Sequence, residues 1–195
     1  MCFFSSCTDT DCDCKKKLIR QELPKDYKAL VDSAVFSYLG RFYAEKDTLL
    51  LDSAIVCLNK ALRINENLYP AYYYKAIVYL AEGKHQYVVD VVDSAFVFSY
   101  PTPDLYFFQG QALAQSNREQ QAEDVFRQTS QSFAEWLECY PDSLVLITGE
   151  LSFIAYHEGK DAASEKLEKY LKKFPDNPIL LGFRNMLDDE SLLVY

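Results

Sequence analysis

The chain repeats itself. Sliding it by 34 residues lays Tyr72 on Tyr106, Tyr74 on Phe108, Ala76 on Gly110, Tyr79 on Leu113, Val88 on Ala122 and Val92 on Phe126, and Pro141 falls on Pro175 at the same offset. A fixed period of this length marks a supersecondary unit that cannot bury its apolar face alone and stacks on its neighbours. Each register keeps a small residue where two helices must approach closely and a large one where the neighbour leaves a gap. Helix punctuation agrees with the period. Pro24 precedes a first helix, Asp47 is placed to cap a second, Pro70 starts a third that Gly83 closes, and Thr102 and Pro103 open a later one. No segment alternates strictly between turn signals, so the pattern predicts an all-α protein.

In type and spacing these residues resemble the tetratricopeptide repeat family, whose signature is W-x2-L-G-x2-Y, then A-x3-F, then P. Phe36, Leu39, Gly40 and Tyr43 match the opening of a first repeat, and Ala54, Leu58 and Ala61 its second helix. Tyr72, Ala76, Tyr79, Gly83, Val88, Val92 and Ala95 form the second, with Lys75 where Leu is usual. Tyr106, Gly110, Leu113, Ala122 and Phe126 form the third, with Gln109 at the same Leu position and a second helix that runs several residues too long, to Pro141. In the fourth, from Ser143 to Pro175, aligning Gly159 with Gly83 puts Ser152 and Ala155 at the small and large sites. The resemblance implies a right-handed α-solenoid of about four such pairs over residues 25–187, with Pro178 to Leu187 as a capping helix. Residues 1–24 are then a Cys-rich tether and 188–195 a tail.

The same resemblance implies a non-catalytic scaffold that binds a protein or peptide partner along the first helix of each pair. The inward faces map to a groove of Arg41, Tyr73, Ile77, Phe107, Gln111, Phe153 and Tyr156. Family members that grip acidic chaperone tails use several basic side chains there. Here Arg41 stands alone, which favours a mainly apolar ligand. The alternative for Tyr73, Phe107 and Phe153 is packing between repeats, since an aromatic stripe on a helix is more often core than site.

Charge narrows the partners further. A net charge of −9 argues against nucleic acid, which is bound by neutralising phosphates with Lys and Arg. No stretch approaches the ~18 apolar residues of a bilayer span. Catalysis and cofactors are not expected: His85 and His157 lie far apart with no nucleophile or ligand at a telling spacing, and no phosphate loop is present.

The N-terminal "MCFFSSCTDTDCDCKKK" stands outside the repeats. Cys2, Cys7, Cys12 and Cys14 lack the paired Cys-x2-Cys spacing of a zinc site, so metal binding by the four is the weaker reading. "FFSSC" resembles the end of a bacterial lipoprotein signal, which would make Cys7 a lipidated residue, the only contact with a membrane, and place the protein in the cell envelope. Six residues before Cys7 are too few for a full signal unless the chain starts further upstream. Without acylation the expectation is a cytoplasmic adaptor, or a metal- or redox-active protein that uses the cysteine cluster. Intact-mass analysis of native protein separates these readings.

Overall fold

The computed structural model describes residues 25–98 and 101–188, all of whose regular structure is helical. Cys2, Cys7, Cys12 and Cys14 lie outside the described residues. In chain order the elements are α1 (Lys25–Asp32), a π-helical stretch (Ser33–Leu39), α2 (Gly40–Glu45), α3 (Leu49–Ile64), α4 (Tyr69–Ala81), α5 (His85–Phe98), α6 (Pro103–Gln115), α7 (Glu119–Cys139), α8 (Leu144–His157), α9 (Lys160–Lys173) and α10 (Pro178–Asp188). Lys25–Glu45 winds without a break, and short connections join the helices that follow. The residues group into two compact units that divide within α7, one up to Thr129 and the other from Ser130. Among the described residues no helix is long and apolar enough to cross a membrane.

In the first unit the 34-residue period sets backbone as well as side chains. Gly83 closes α4 at φ +67°, and Asn117, one period on, closes α6 at φ +57°. Both fold back alike, the Lys84 and Arg118 amides donating to the Tyr79 and Leu113 carbonyls at 2.9 and 3.0 Å. Glycine and asparagine are the residues that tolerate this left-handed closure. Asp47 caps α3 as the sequence predicts, its Oδ1 accepting from the Leu49 amide at 3.0 Å. The core of the first pair gathers Val31, Ala34, Leu39, Leu51, Ala54, Leu58 and Ala61 with Leu68, Ala71 and Val78 of the next. Each fully buried leucine there contributes about 1.5–3 kcal/mol.

The first repeat departs from its sequence alignment. Phe36 is 73% exposed and Tyr43 53%, and Gly40 is exposed between them. Leu39 is buried as the alignment requires, together with Ala34, and the half-buried Tyr38 and Phe42 pack against this core. Tyr38 and Phe42, not Phe36 and Gly40, stand one 34-residue period before Tyr72 and Ala76. The helix also widens here into a π-helical stretch, in which the Gly40 amide donates to the Val35 carbonyl, five residues back.

The third pair shows why small and large residues alternate. Gly110 on α6 lies against the Phe126 ring on α7, so close that a methyl at Gly110 would sit 2.3 Å from Cε1. At the usual Leu site next to it, Gln109 is buried and donates from Nε2 to Asp93 Oδ1 on α5 at 2.7 Å. This bond satisfies a polar group that would otherwise cost ~1–3 kcal/mol. One period earlier, Lys75 is half-buried, and burial lowers its pKa.

The second unit is built on α8, whose Leu146, Ile147, Leu151, Phe153 and Ile154 are buried. Ser143 caps it, its hydroxyl accepting from the Leu146 amide at 3.5 Å. The small site differs from the sequence alignment: Gly149 faces the Phe133 ring, a methyl there lying 3.1 Å from Cε1, while Ser152 and Ala155 are half-buried. The misplacement follows from aligning on the turn at Gly159, because α7 is longer than the other second helices. Leu180, Phe183 and Leu187 bury the inner face of α10 against the preceding helices, as a capping helix requires.

Candidate functional site

The first unit carries a tyrosine-rich cluster on the first helices of its second and third pairs. Four rings meet there: Tyr73 lies 6.0 Å from Tyr69, 5.1 Å edge-on from Tyr74, and 5.3 Å from Phe108 on α6. All four are half-buried, so each presents part of its ring to solvent. Spacings of this kind add a modest aromatic attraction to the area they bury.

One end of the cluster is anchored by a carboxylate. The Tyr69 hydroxyl donates to Asp104 in the first turn of α6, whose other oxygen accepts from the Leu105 amide at 3.1 Å. Burial raises the Asp104 pKa, and the hydrogen bonds from the Tyr69 hydroxyl and the Leu105 amide oppose the rise without cancelling it. Burial likewise holds Tyr69 far above an ordinary phenol, helped by the Asp104 charge, and pushes Tyr73 to about 12. Both phenols therefore stay protonated donors at neutral pH.

A raised carboxyl pKa destabilises the ionised folded state. The contribution of Asp104 is most favourable below its ordinary value of 3.8 and is lost as pH rises through the higher folded value. Asn keeps an oxygen for the Tyr69 hydroxyl and carries no charge. Asp104→Asn is thus expected to raise Tm at pH 7, with a gain that shrinks as the pH approaches 3.8, as paired melting curves would read. A lower Tm at pH 7 would mean that the attraction of a helix N-terminus for negative charge, ~0.3–1 kcal/mol, outweighs burial.

The groove residues predicted from sequence fall in both units. Arg41 is exposed and forms a fork with Glu45, Nε to Oε1 at 2.8 Å and Nη2 to Oε2 at 2.9 Å. Tyr73, Ile77 and Gln111 are half-buried, Tyr73 in the ring cluster and Ile77 against the core of the first pair. Phe107 is only 9% exposed and Phe153 2%, the latter between the Phe133 ring at 6.1 Å and the His157 imidazole at 5.5 Å. Tyr156, at 36%, is open. Tyr69, Tyr74, Phe108 and Asp104 were not among the groove residues predicted from sequence.

The second unit contains a half-open cleft of about 310 Å³ between the end of α7 and the facing sides of α8 and α9. Glu150, buried on an otherwise apolar face, lies at one end. Its Oε1 accepts from Lys166 Nζ at 3.0 Å and its Oε2 from the Tyr170 hydroxyl at 2.6 Å. Burial, then the bond to Glu150, raises the Tyr170 pKa, so that bond keeps its proton. A lone carboxylate in "LVLITGELSFIAYH" signals a partnered buried charge, a clue the sequence held. Among the described residues no group of three or more His, Cys, Asp or Glu is placed to hold a metal ion.

Period, left-handed closures and small-on-large contacts together define stacked helical pairs that repeat every 34 residues in the first unit. Among solved structures the chain is similar to YrrB, described as a TPR protein with an unusual peptide-binding site, at a TM-score of 0.46 and 18% identity over 88% of this chain and 97% of that one. No protein-family model and no curated protein matches it.

Proposed function

We propose that the protein is a non-catalytic binding module that receives an apolar segment of a partner polypeptide on the tyrosine-rich face of its first unit. The observation that carries this reading is the half-buried ring cluster of Tyr69, Tyr73, Tyr74 and Phe108 on α4 and α6. Aromatic rings bury large area at low entropic cost and keep a polar edge for the partner backbone, which is why such residues dominate binding hot spots. Arg41, the one basic residue of the predicted groove, is already engaged with Glu45, so an acidic tail finds no free cation among those residues.

A photo-crosslinking residue placed at Gln111, beside the rings, tests the proposal in the native host, with one at the exposed Gln128 as control. A discrete adduct is expected from Gln111 and not from Gln128, and Tyr73→Ser should weaken it by an amount typical of a hot-spot truncation, ~1–2 kcal/mol or more. Identical adducts at both positions, or an adduct indifferent to Tyr73→Ser, would remove the face from consideration.

A further inference from the structure

The two cysteines among the described residues are in different chemical states. Cys57, on α3, is a free thiol, half-buried and packed against the core of the first pair. Cys139, in the last turn of α7, is disulfide-bonded, to a cysteine outside the described residues. Local structure accounts for the difference. Packing against the core keeps the Cys57 sulfur from other thiols. Cys139 instead ends its helix: the Tyr140 amide closes the last turn on the Trp136 carbonyl at 2.9 Å, and Pro141 and Asp142 follow at once, both exposed. Lys173 fastens that turn from α9, its Nζ donating to Asp142 Oδ1 at 2.5 Å and to the Pro141 carbonyl at 3.3 Å. A fastened helix end holds its sulfur in one place, as the narrow geometry of a disulfide requires.

We infer that the chain matures in an oxidising compartment, where Cys139 is oxidised and Cys57 is not. Disulfides are rare where cellular thiols keep proteins reduced, so a bonded Cys139 is a mark of location. The bond forms by thiol–disulfide exchange. Cys139 and its partner lose two protons and two electrons as the S–S bond is made, and the disulfide of a carrier protein of that compartment takes up both pairs and becomes a dithiol. A place outside the reducing cytoplasm agrees with the lipid-anchored reading of the N-terminus and not with a cytoplasmic adaptor. The tyrosine-rich face needs no cysteine, so either proposal can fail without the other.

The test reads thiols in the full chain taken from its native host. Cells are quenched in acid, and the denatured protein is alkylated with and without prior reduction. Without reduction the label should fall on Cys57 and not on Cys139; after reduction it should fall on both. A non-reduced digest should release the Cys139 peptide joined to a second peptide of this chain. On a denaturing gel, Cys139→Ser should abolish the change in mobility that reductant causes, and Cys57→Ser should leave it as it is. Full labelling of Cys139 before reduction, or a Cys139 capped only by glutathione, would overturn the proposal.

Discussion

Gly110→Ala should be among the most damaging single-methyl additions in this protein. The new carbon would lie 2.3 Å from Phe126 Cε1 and 2.5 Å from Cδ1, where no side-chain carbon rests, so the ring or the α6 backbone must move. Phe126 is 4% exposed, so the ring has little room to swing aside. Overpacking of a closed site costs about 1–3 kcal/mol, and the upper end is expected here because two ring atoms clash at once. Alanine would ordinarily gain ~1 kcal/mol over glycine inside a helix, so a large loss cannot be mistaken for a propensity effect. The decisive check is a cycle with Phe126→Val. The double change recreates the Ala76 and Val92 combination one period earlier, and chemical denaturation should find it well above the sum of the two single losses. Strict additivity would mean that the contact is not what the substitution disturbs. Gly149→Ala, whose new carbon would come only to 3.1 Å of the Phe133 ring, should cost distinctly less.

Phe133→Ala is expected to remove about 3–5 kcal/mol, the cost of deleting a buried aromatic ring and leaving its cavity. The ring is 1% exposed, faces Gly149 and stacks on Phe153. The distribution of the loss is as informative as its size. Because residues from Ser130 onward form a compact unit of their own, hydrogen exchange should accelerate in α8 and α9 more than in α4 and α5. Uniform acceleration would show that the two units open as one. A small loss confined to α7 would show that the ring is not central to the second unit.

The parts of the fold that the sequence revealed are those governed by the period. Ala54, Leu58 and Ala61 on α3 and Val88, Val92 and Ala95 on α5 are buried where the 34-residue register puts them. Such helices carry one apolar stripe, and its spacing is fixed by the α-helix itself. The first helix was misread where the motif match left the register. Phe36 and Gly40 stand 36 residues before Tyr72 and Ala76 and point outward with Tyr43, whereas the 34-residue period points to Tyr38 and Phe42, which are half-buried. The fourth small site was misplaced for a related reason: anchoring on Gly159 cannot allow for the extra length of α7, so Gly149 was passed over.

At the candidate sites, residue type was legible and orientation was not. Phe107 and Phe108 are adjacent and chemically alike, yet Phe108 joins the Tyr73 cluster with part of its ring open while Phe107 turns inward. Nothing local distinguishes them, since the outcome depends on the angle at which α6 crosses α4 and α5. Glu150 could be recognised as a buried charge. Its partners could not, because Lys166 and Tyr170 stand 16 and 20 residues further along, on another helix.

Chains made of similar units face a hazard during folding, in which a helix pairs with the counterpart of its proper neighbour, one unit out of step. The unequal contacts of the second and third pairs work against such an error. If α4 closed on α7, the Ala76 methyl would meet the Phe126 ring that only a glycine accommodates. If α6 took α5 in place of α7 as its pair partner, Gly110 would face Val92 and leave a void where the ring belongs. Either slip forfeits packing that the correct partner supplies, so repeats alike enough to stack remain different enough to be told apart as they assemble.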